Sequence, residues 1–168
     1  MSDSTKPEII ARHRILAFYG VPDNSGTVTK YYRMKKFTQF THSKNPIEYS
    51  RQYVDEPFQQ TDVMGFSPSY DYAFDKHKNL AVQDDIIKIT DGELIGEDAV
   101  RTIVIVDTSD PSAKAYKRDY AVIPNSEGDN INIYTYSGSL KARGEKIKVT
   151  VSTSDDYQTI TVTDNTGS

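Results

Sequence analysis

The chain has 168 residues, of which 36% are hydrophobic and 26% charged, and its formal net charge is -4. This length suits one domain with its own core, and no apolar run is long enough to cross a bilayer. The sequence contains no cysteine, which excludes disulfides, thiolate metal sites and cysteine nucleophiles. The acidic balance argues against tight nucleic-acid binding, which needs a basic surface that neutralises phosphates.

The aromatic residues are unusual in kind, with 12 Tyr, 6 Phe and no Trp. Tyrosine favours strands, because its ring packs well on a pleated surface. It is also enriched where a surface is buried against a partner. The composition therefore favours a strand-rich protein and is compatible with a large interface.

The first 40 residues combine two strand patterns with a polar turn. A cluster of turn residues at 21–26 separates a strand within 9–19 from a second strand at 36–40. We therefore predict that the chain begins in a β-sheet.

A polar segment at 42–62 interrupts the strand pattern. It contains two prolines, Pro46 and Pro57, and intersperses tyrosines with charges of both signs. A loop longer than about 15 residues in a compact domain usually has a function or is disordered. Such a segment suits an extended arm that docks on a neighbour, with charges that set the register and aromatics that supply contact area. An ordinary solvated hairpin is the alternative.

The next strand is predicted at 66–74, where aromatic residues fall at even positions: Phe66, Tyr70, Tyr72 and Phe74. This spacing places them on one face of a strand. Pro68 lies near the start, where a proline disturbs strand pairing least.

The helix is predicted at 79–91, with Asn79 as its N-cap and Gly92 at its end. Apolar residues follow helical spacing inside it. Asp84 and Asp85 are adjacent, and neighbouring side chains on a helix do not converge on one point. We therefore predict that both aspartates belong to its solvated face rather than to a catalytic or metal site.

The remaining chain is predicted to be strand-rich, with strands at 100–106, 120–123, 131–136, 146–151 and 159–163. The last two strands alternate apolar and polar residues on either side of a turn, which is typical of a hairpin with one solvent-exposed face. The predicted fold class is mainly β: a β-sandwich or barrel with one flanking α-helix and a long extended arm loop.

No catalytic motif is present. His13, His42 and His77 are isolated in sequence, and the signatures of metalloproteases, nucleotide-binding loops and serine hydrolases are missing. A hydrolase with paired carboxylates would need two of them facing across a cleft, which the sequence does not suggest. We therefore expect that the protein is not an enzyme and has neither a cofactor nor a metal.

A specific motif covers residues 43–56, SKNPIEYSRQYVDE. Further segments that belong with it lie at 34–37, 61–69, 72–75, 84–86, 96, 99–107 and 138–145, followed by the final hairpin. Together they resemble the major tail proteins, or tail tube proteins, of long-tailed siphophages that infect Gram-positive bacteria. The motif at 43–56 is the most specific part, because the strands alone would fit many folds.

This resemblance implies a tail tube-like fold in a single domain over 1–168, with flexible termini at 1–8 and 164–168. It implies hexameric rings that stack into the tail tube, through whose lumen DNA is ejected without specific binding. A domain of this length has a radius of gyration of about 15 Å, so a conduit for duplex DNA must be a ring of copies. Head-to-tail contacts form such rings when the rotation closes.

The resemblance also implies partners and a location. The partners are further copies of the chain, the tape measure protein, the tail tip or baseplate proteins and the tail terminator protein, with no membrane. The expected location is the virion, after assembly in the host cytoplasm, and the N-terminus lacks the apolar core of a signal peptide. The immunoglobulin-like domain that some tail proteins carry does not follow the final hairpin, so no decoration function is expected.

In the family the arm reaches a neighbouring subunit or ring. Carried onto this sequence, the inter-subunit interface is predicted at Asn45, Pro46, Glu48, Tyr49, Arg51, Tyr53, Asp55 and Glu56. Two alternatives remain. One is a monomeric β-sandwich module that binds protein or carbohydrate in an aromatic groove, and the other is the tube protein of a contractile injection device.

Overall fold

A computed structural model describes residues 7–23, 25–28, 30–110, 112 and 114–164. The fold over these residues is mainly β with one α-helix, which confirms the predicted fold class. The strands are β1 Ile15–Gly20, β2 Tyr31–Arg33, β3 Phe37–Ser43, β4 Pro46–Arg51, β5 Gln60–Phe66, β6 Ser69–Asp75, β7 Val100–Asp107, β8 Lys114–Glu127, β9 Thr135–Ala142, β10 Ile147–Ser152 and β11 Thr159–Asp164. The helix α1 is Ala81–Asp91, and short 3-10 helices occur at Arg12–Arg14 and Gly96–Ala99. None of the helices described is long and apolar enough to span a membrane.

The chain divides into two compact units. Unit 1 comprises the described parts of Met1–Met34, Thr102–Lys117 and Lys146–Ser168, and unit 2 comprises Lys35–Arg101 and Arg118–Glu145. The sequence predicted a single domain, which stays a prediction. The termini predicted to be flexible, 1–8 and 164–168, fall largely outside the described residues.

Unit 1 is a ring of strands in the order β10-β11-β2-β1-β7-β8, in which β10 also pairs with β8. Ile147 of β10 lies opposite Lys117 of β8 in this closing pair. Its core is built from apolar side chains of these strands: Leu16, Phe18, Val104, Val106, Ala115, Val149 and Ile160. The predicted terminal hairpin is confirmed, since β10 and β11 pair antiparallel.

Unit 2 contains an antiparallel sheet in the order β8-β9-β6-β3. Tyr70, Tyr72 and Phe74 of β6 are buried on one face, and burial raises the pKa of the Tyr72 hydroxyl above its usual range. Tyr72 lies opposite Gly138 of β9, where an added Cβ would come within 2.7 Å of the tyrosine oxygen. Only glycine therefore fits beneath this buried ring.

The helix α1 buries Val82, Ile86 and Ile89 at helical spacing. Its predicted N-cap is wrong: Leu80 occupies that position without a side-chain hydrogen bond, and Asn79 has a left-handed backbone with φ 66°. Gly92 is the C-cap as predicted. The next two amides complete the end of the helix, with the Leu94 N–H donating to the Ile89 carbonyl at 3.2 Å and the Glu93 N–H to the Thr90 carbonyl at 3.3 Å.

Three further predictions are corrected in unit 2. Phe66 belongs to β5 and is exposed, so it does not share the buried face of β6. The strand predicted at 131–136 begins only at Thr135, and Ile131 before it is 99% exposed. Asp85 is buried rather than solvated, whereas Asp84 is exposed as predicted. Asp85 turns inward because an arginine from β7 neutralises it.

Candidate functional site

The strands β4 and β5 form a two-stranded sheet of their own. We call residues 44–67, which comprise this hairpin and its ends, the arm. The sequence predicted the arm at 42–62, but β3 continues to Ser43 and β5 runs to Phe66. The hairpin therefore begins and ends later in the chain than the predicted segment. The reason is that strand pairing continues further along the chain than the polar composition suggests. In both strands nearly every residue is exposed.

The base of the arm is fixed by Asn45. Its backbone is left-handed, with φ 47°, and its side-chain amide donates to the Ser67 carbonyl at 3.0 Å and to the Ser69 hydroxyl at 3.1 Å. The Ser67 N–H donates back to the Asn45 carbonyl at 3.1 Å. These bonds hold the two ends of the arm together just beyond the point where Ser43 of β3 lies opposite Ser69 of β6.

The two strands of the arm pair antiparallel, with a register shift between Ile47 and Glu48. The hydroxyl groups of Ser50 and Thr61, which lie opposite each other, form a hydrogen bond at 3.0 Å. Six paired residues of β4 extend about 20 Å at the usual rise of a strand. Because nearly every residue of both strands is exposed, the arm buries little of its surface against the rest of its own unit.

Arg51 is the centre of a contact cluster within the arm. Its Nε donates to the Tyr53 hydroxyl at 2.8 Å, and one terminal nitrogen lies 2.5 Å from an Asp62 carboxylate oxygen. The guanidinium also lies over the Tyr49 and Tyr53 rings, 5.4 and 5.7 Å from their centroids. The bond to Tyr53 and then the carboxylate of Asp62 raise the pKa of Arg51. Arg51 therefore stabilises the hairpin itself.

The loop at the tip of the arm is ordered by Glu56. Its carboxylate accepts a hydrogen bond from the Gln60 amide at 2.8 Å, and its carbonyl accepts one from the Gln52 amide at 3.1 Å. Its N–H donates to the Tyr53 carbonyl at 3.1 Å. The tip is held in one shape by these bonds, and Asp55 beside Glu56 is exposed.

The arm exposes many large apolar side chains: Ile47, Tyr49, Tyr53, Val54, Phe58, Val63, Met64 and Phe66. Val54 is 109% exposed and Phe58 is 74% exposed, and both belong to the tip. An isolated two-stranded hairpin is marginally stable in water, and large exposed apolar patches mark sites of interaction. The arm therefore has the properties of a surface that is completed by a partner.

The structure distributes the predicted interface residues over the whole arm. Asn45 lies at the base, and Tyr53, Asp55 and Glu56 lie in the tip loop. The four residues on β4 are Pro46, Glu48, Tyr49 and Arg51. Because successive side chains of a strand alternate, the β4 residues divide between the two faces of the hairpin. Sequence reasoning included the exposed Tyr49 and Tyr53 in the interface but left out the other exposed apolar residues of the arm, such as Val54 and Phe58 in the tip.

Unit 2 also contains an open groove of about 400 Å³. One wall is the segment from Leu94 to Val100, and the other consists of β8 residues 121–124 with Arg143. A terminal nitrogen of Arg143 lies 3.9 Å from a Glu97 carboxylate oxygen. The lining is mainly apolar, and within the described residues no group of His, Asp and Glu side chains is arranged to hold a metal ion.

No family model matches the chain, and no curated protein matches it. Among solved structures, the chain is similar to one in the cryo-EM structure of the anti-feeding prophage (AFP) baseplate, which was six-fold symmetrised. The two superpose with a TM-score of 0.50 and 8% sequence identity, over 87% of this chain and 97% of that one. At this identity the likeness shows a shared fold.

Proposed function

We propose that the protein is a structural component of a phage-type tail, without catalytic activity, and that copies of it assemble through the arm into rings that stack as the tail tube. The observation that carries this proposal is the arm itself. It is an ordered hairpin that projects exposed apolar side chains on both faces and at its tip. Exposure of such a surface to water is unfavourable in free energy for a monomer, whereas its burial against a partner stabilises an assembly.

The pairing of the strands supports assembly in a ring. Among the described residues β3 pairs only with β6, so its other edge is open to a further strand. The arm follows directly from this edge strand. If the edge and the arm of one copy contact different surfaces on the next copy, the interface is head-to-tail. Such an interface closes into a ring or extends into a filament.

The similar chain supports the tail assignment through its fold. It belongs to the baseplate of an anti-feeding prophage, whose structure was six-fold symmetrised, so a hexamer is the ring size to test first. The tube protein of a contractile injection device, which the sequence left open, is a second candidate beside a siphophage tail tube, since the fold is shared with a baseplate chain. Both candidates require the same ring and differ in what surrounds it.

The remaining parts of the proposal follow from this role. DNA would pass through the lumen without specific binding, and the net charge of -4 suits a wall that does not hold phosphates. The tube would contact a tape measure protein inside it, a tail tip or baseplate at one end and a terminator protein at the other. Its location would be the virion, after assembly in the host cytoplasm.

The test is electron microscopy of negatively stained protein over a concentration series, alone and with its tail tip or baseplate complex. We expect rings or uniform hollow tubes from the unchanged chain. A second sample replaces residues 46–66 with two glycines, since Asn45 and Ser67 are already joined by a hydrogen bond at 3.1 Å. This armless variant should fold and remain monomeric.

The matched control is Ile131→Ser, which removes an equally exposed apolar side chain outside the arm. The control should assemble like the unchanged chain. If the armless variant also assembled normally, the arm would not be the interface. If the unchanged chain formed neither rings nor tubes even with the tip complex, the tube proposal would be wrong and the monomeric binding module would replace it.

A further inference from the structure

We propose that the apolar groove of unit 2 receives the tip of the arm from a second copy of the chain. This inference rests on the proposed assembly and names the surface that the arm contacts. The groove lies between the segment 94–100 and residues 121–124 of β8. The tip consists of Val54, Pro57 and Phe58 with the acidic residues between them.

Three hydrogen bonds within the tip favour one shape of this loop. Glu56 accepts hydrogen bonds from Gln52 and Gln60, and the backbone bond from Glu56 to Tyr53 closes the turn. Val54 and Phe58 therefore project from an ordered loop, at 109% and 74% exposure. A preorganised loop loses little conformational entropy when it binds.

The groove offers an apolar surface against which these two exposed side chains can pack. Ile95 is 81% exposed and Ile123 is 42% exposed, and they stand on its two walls. Its volume of about 400 Å³ is in the range of cavities that hold small ligands, which leaves room for an aromatic ring with a neighbouring valine. Docking would remove the apolar surface of both partners from water.

The charges around the groove match those of the tip. Lys141 lies directly opposite Ala121, a lining residue, so its side chain is on the same side of the sheet. Arg143 lines the groove and is bound only loosely to Glu97, at 3.9 Å. The tip carries Asp55 and Glu56 beside its apolar residues.

These charges also set the orientation of the tip in the groove. The other wall carries the acidic residues Glu97 and Asp98. The tip would therefore bind with its own carboxylates toward Lys141 and Arg143, where opposite charges meet.

The arm and the groove lie on different strands of the unit 2 sheet. The arm extends from β3 and β6, whereas the groove is formed by β8, and β9 lies between β6 and β8. Three strand spacings separate β3 from β8, or about 14 Å. A contact between the arm of one copy and the groove of the next is therefore head-to-tail, and each added copy presents a new arm and a new groove.

The experiment uses disulfide cross-linking, for which the absence of cysteine from the chain gives a clean background. A Phe58→Cys variant is mixed with an Ile123→Cys variant, allowed to assemble and treated with a mild oxidant. We expect a mixed dimer in an amount on the order of tenfold above the background pair, since neighbouring thiols in an assembly react at high effective concentration. The background pair is Phe58→Cys with Ile131→Cys, because Ile131 is exposed and outside the groove.

Micrographs of the same samples separate the two proposals. Tubes or rings in which both pairs cross-link equally, or not at all, would overturn the groove assignment and leave the assembly intact. A chain that stays monomeric and cross-links with no pair would remove both proposals. As a second measurement that does not depend on thiols, Ile123→Glu should prevent assembly whereas Ile131→Glu should not, and circular dichroism should show both variants folded.

Discussion

Asp85 on α1 and Arg101 on β7 form a buried ion pair, with Arg101 Nε 2.8 Å from Asp85 Oδ2. The Asp85 side chain is 7% exposed and the Arg101 side chain is 10% exposed. Another guanidinium nitrogen of Arg101 donates to the carbonyl groups of Asp98 and Val100, at 3.0 and 2.8 Å. The arginine is thus bound on several sides. It joins the helix to the start of β7 within unit 2.

Removal of Asp85 should destabilise the protein more than any other carboxylate change on the helix. In Asp85→Ala the Arg101 guanidinium would remain buried without its counter-charge, a situation that typically costs about 3–5 kcal/mol. The matched control is Asp84→Ala, since Asp84 is adjacent and exposed, and its cost should be about 0.5 kcal/mol or less. Urea denaturation followed by circular dichroism measures both, and equal midpoints for the two variants would show that the pair contributes nothing.

Asn45 should control the order of the arm rather than the stability of the whole chain. In Asn45→Ala two side-chain hydrogen bonds at the base are lost, and alanine tolerates the left-handed backbone at φ 47° less well. We expect hydrogen exchange at the Ser67 amide, which is bonded to Asn45, to accelerate by about tenfold for each 1.4 kcal/mol lost. Amides of unit 1 should be unchanged.

Asn45→Gly is the matched variant, because glycine adopts a left-handed backbone readily. It loses the same two side-chain bonds without the backbone strain, so its Ser67 amide should exchange at a rate between those of the unchanged chain and Asn45→Ala. Identical exchange in all three chains would mean that Asn45 does not fix the base of the arm.

Alternation and turn chemistry predicted much of this fold from the sequence. The strand at 100–106 and the final hairpin were predicted because apolar periodicity is strong there and local turns define the register. Asn79 misled the assignment of the helix start, since asparagine favours both N-caps and left-handed turns. In the structure Asn79 adopts the left-handed conformation.

The candidate site was predictable in location but not in detail. The polar, tyrosine-bearing segment marked the arm, yet its end at Phe66 was assigned to the following strand because Phe66 shares the spacing of the aromatic face. The burial of Asp85 could not be read from the helix alone, since its partner Arg101 is 16 residues away in sequence. The groove likewise depends on long-range packing, which periodicity does not encode.

The turn between β10 and β11 should be sensitive to acid through Asp155. Its carboxylate accepts hydrogen bonds from the Thr159 hydroxyl at 2.6 Å and from the Thr159 N–H at 3.0 Å, and the Thr153 hydroxyl donates to it at 3.0 Å. The Thr159 hydroxyl makes the largest contribution, and these bonds lower the pKa of Asp155 from 3.8 to about 2. They favour the ionised carboxylate in the folded state.

A carboxylate whose pKa is lowered by folding contributes stability that is fully present above its unfolded pKa and is lost as the pH falls through the folded value. The turn should therefore be intact above a pH of 3.8 and loosen progressively as the pH falls toward about 2. NMR titration should place the pKa of Asp155 near 2, with faster exchange of the Thr159 amide in the same window. Asp155→Asn should lose this pH dependence, whereas Asp156→Asn should retain it because Asp155 is unchanged. A titration midpoint at or above 3.8 would show that the turn does not bind the ionised form.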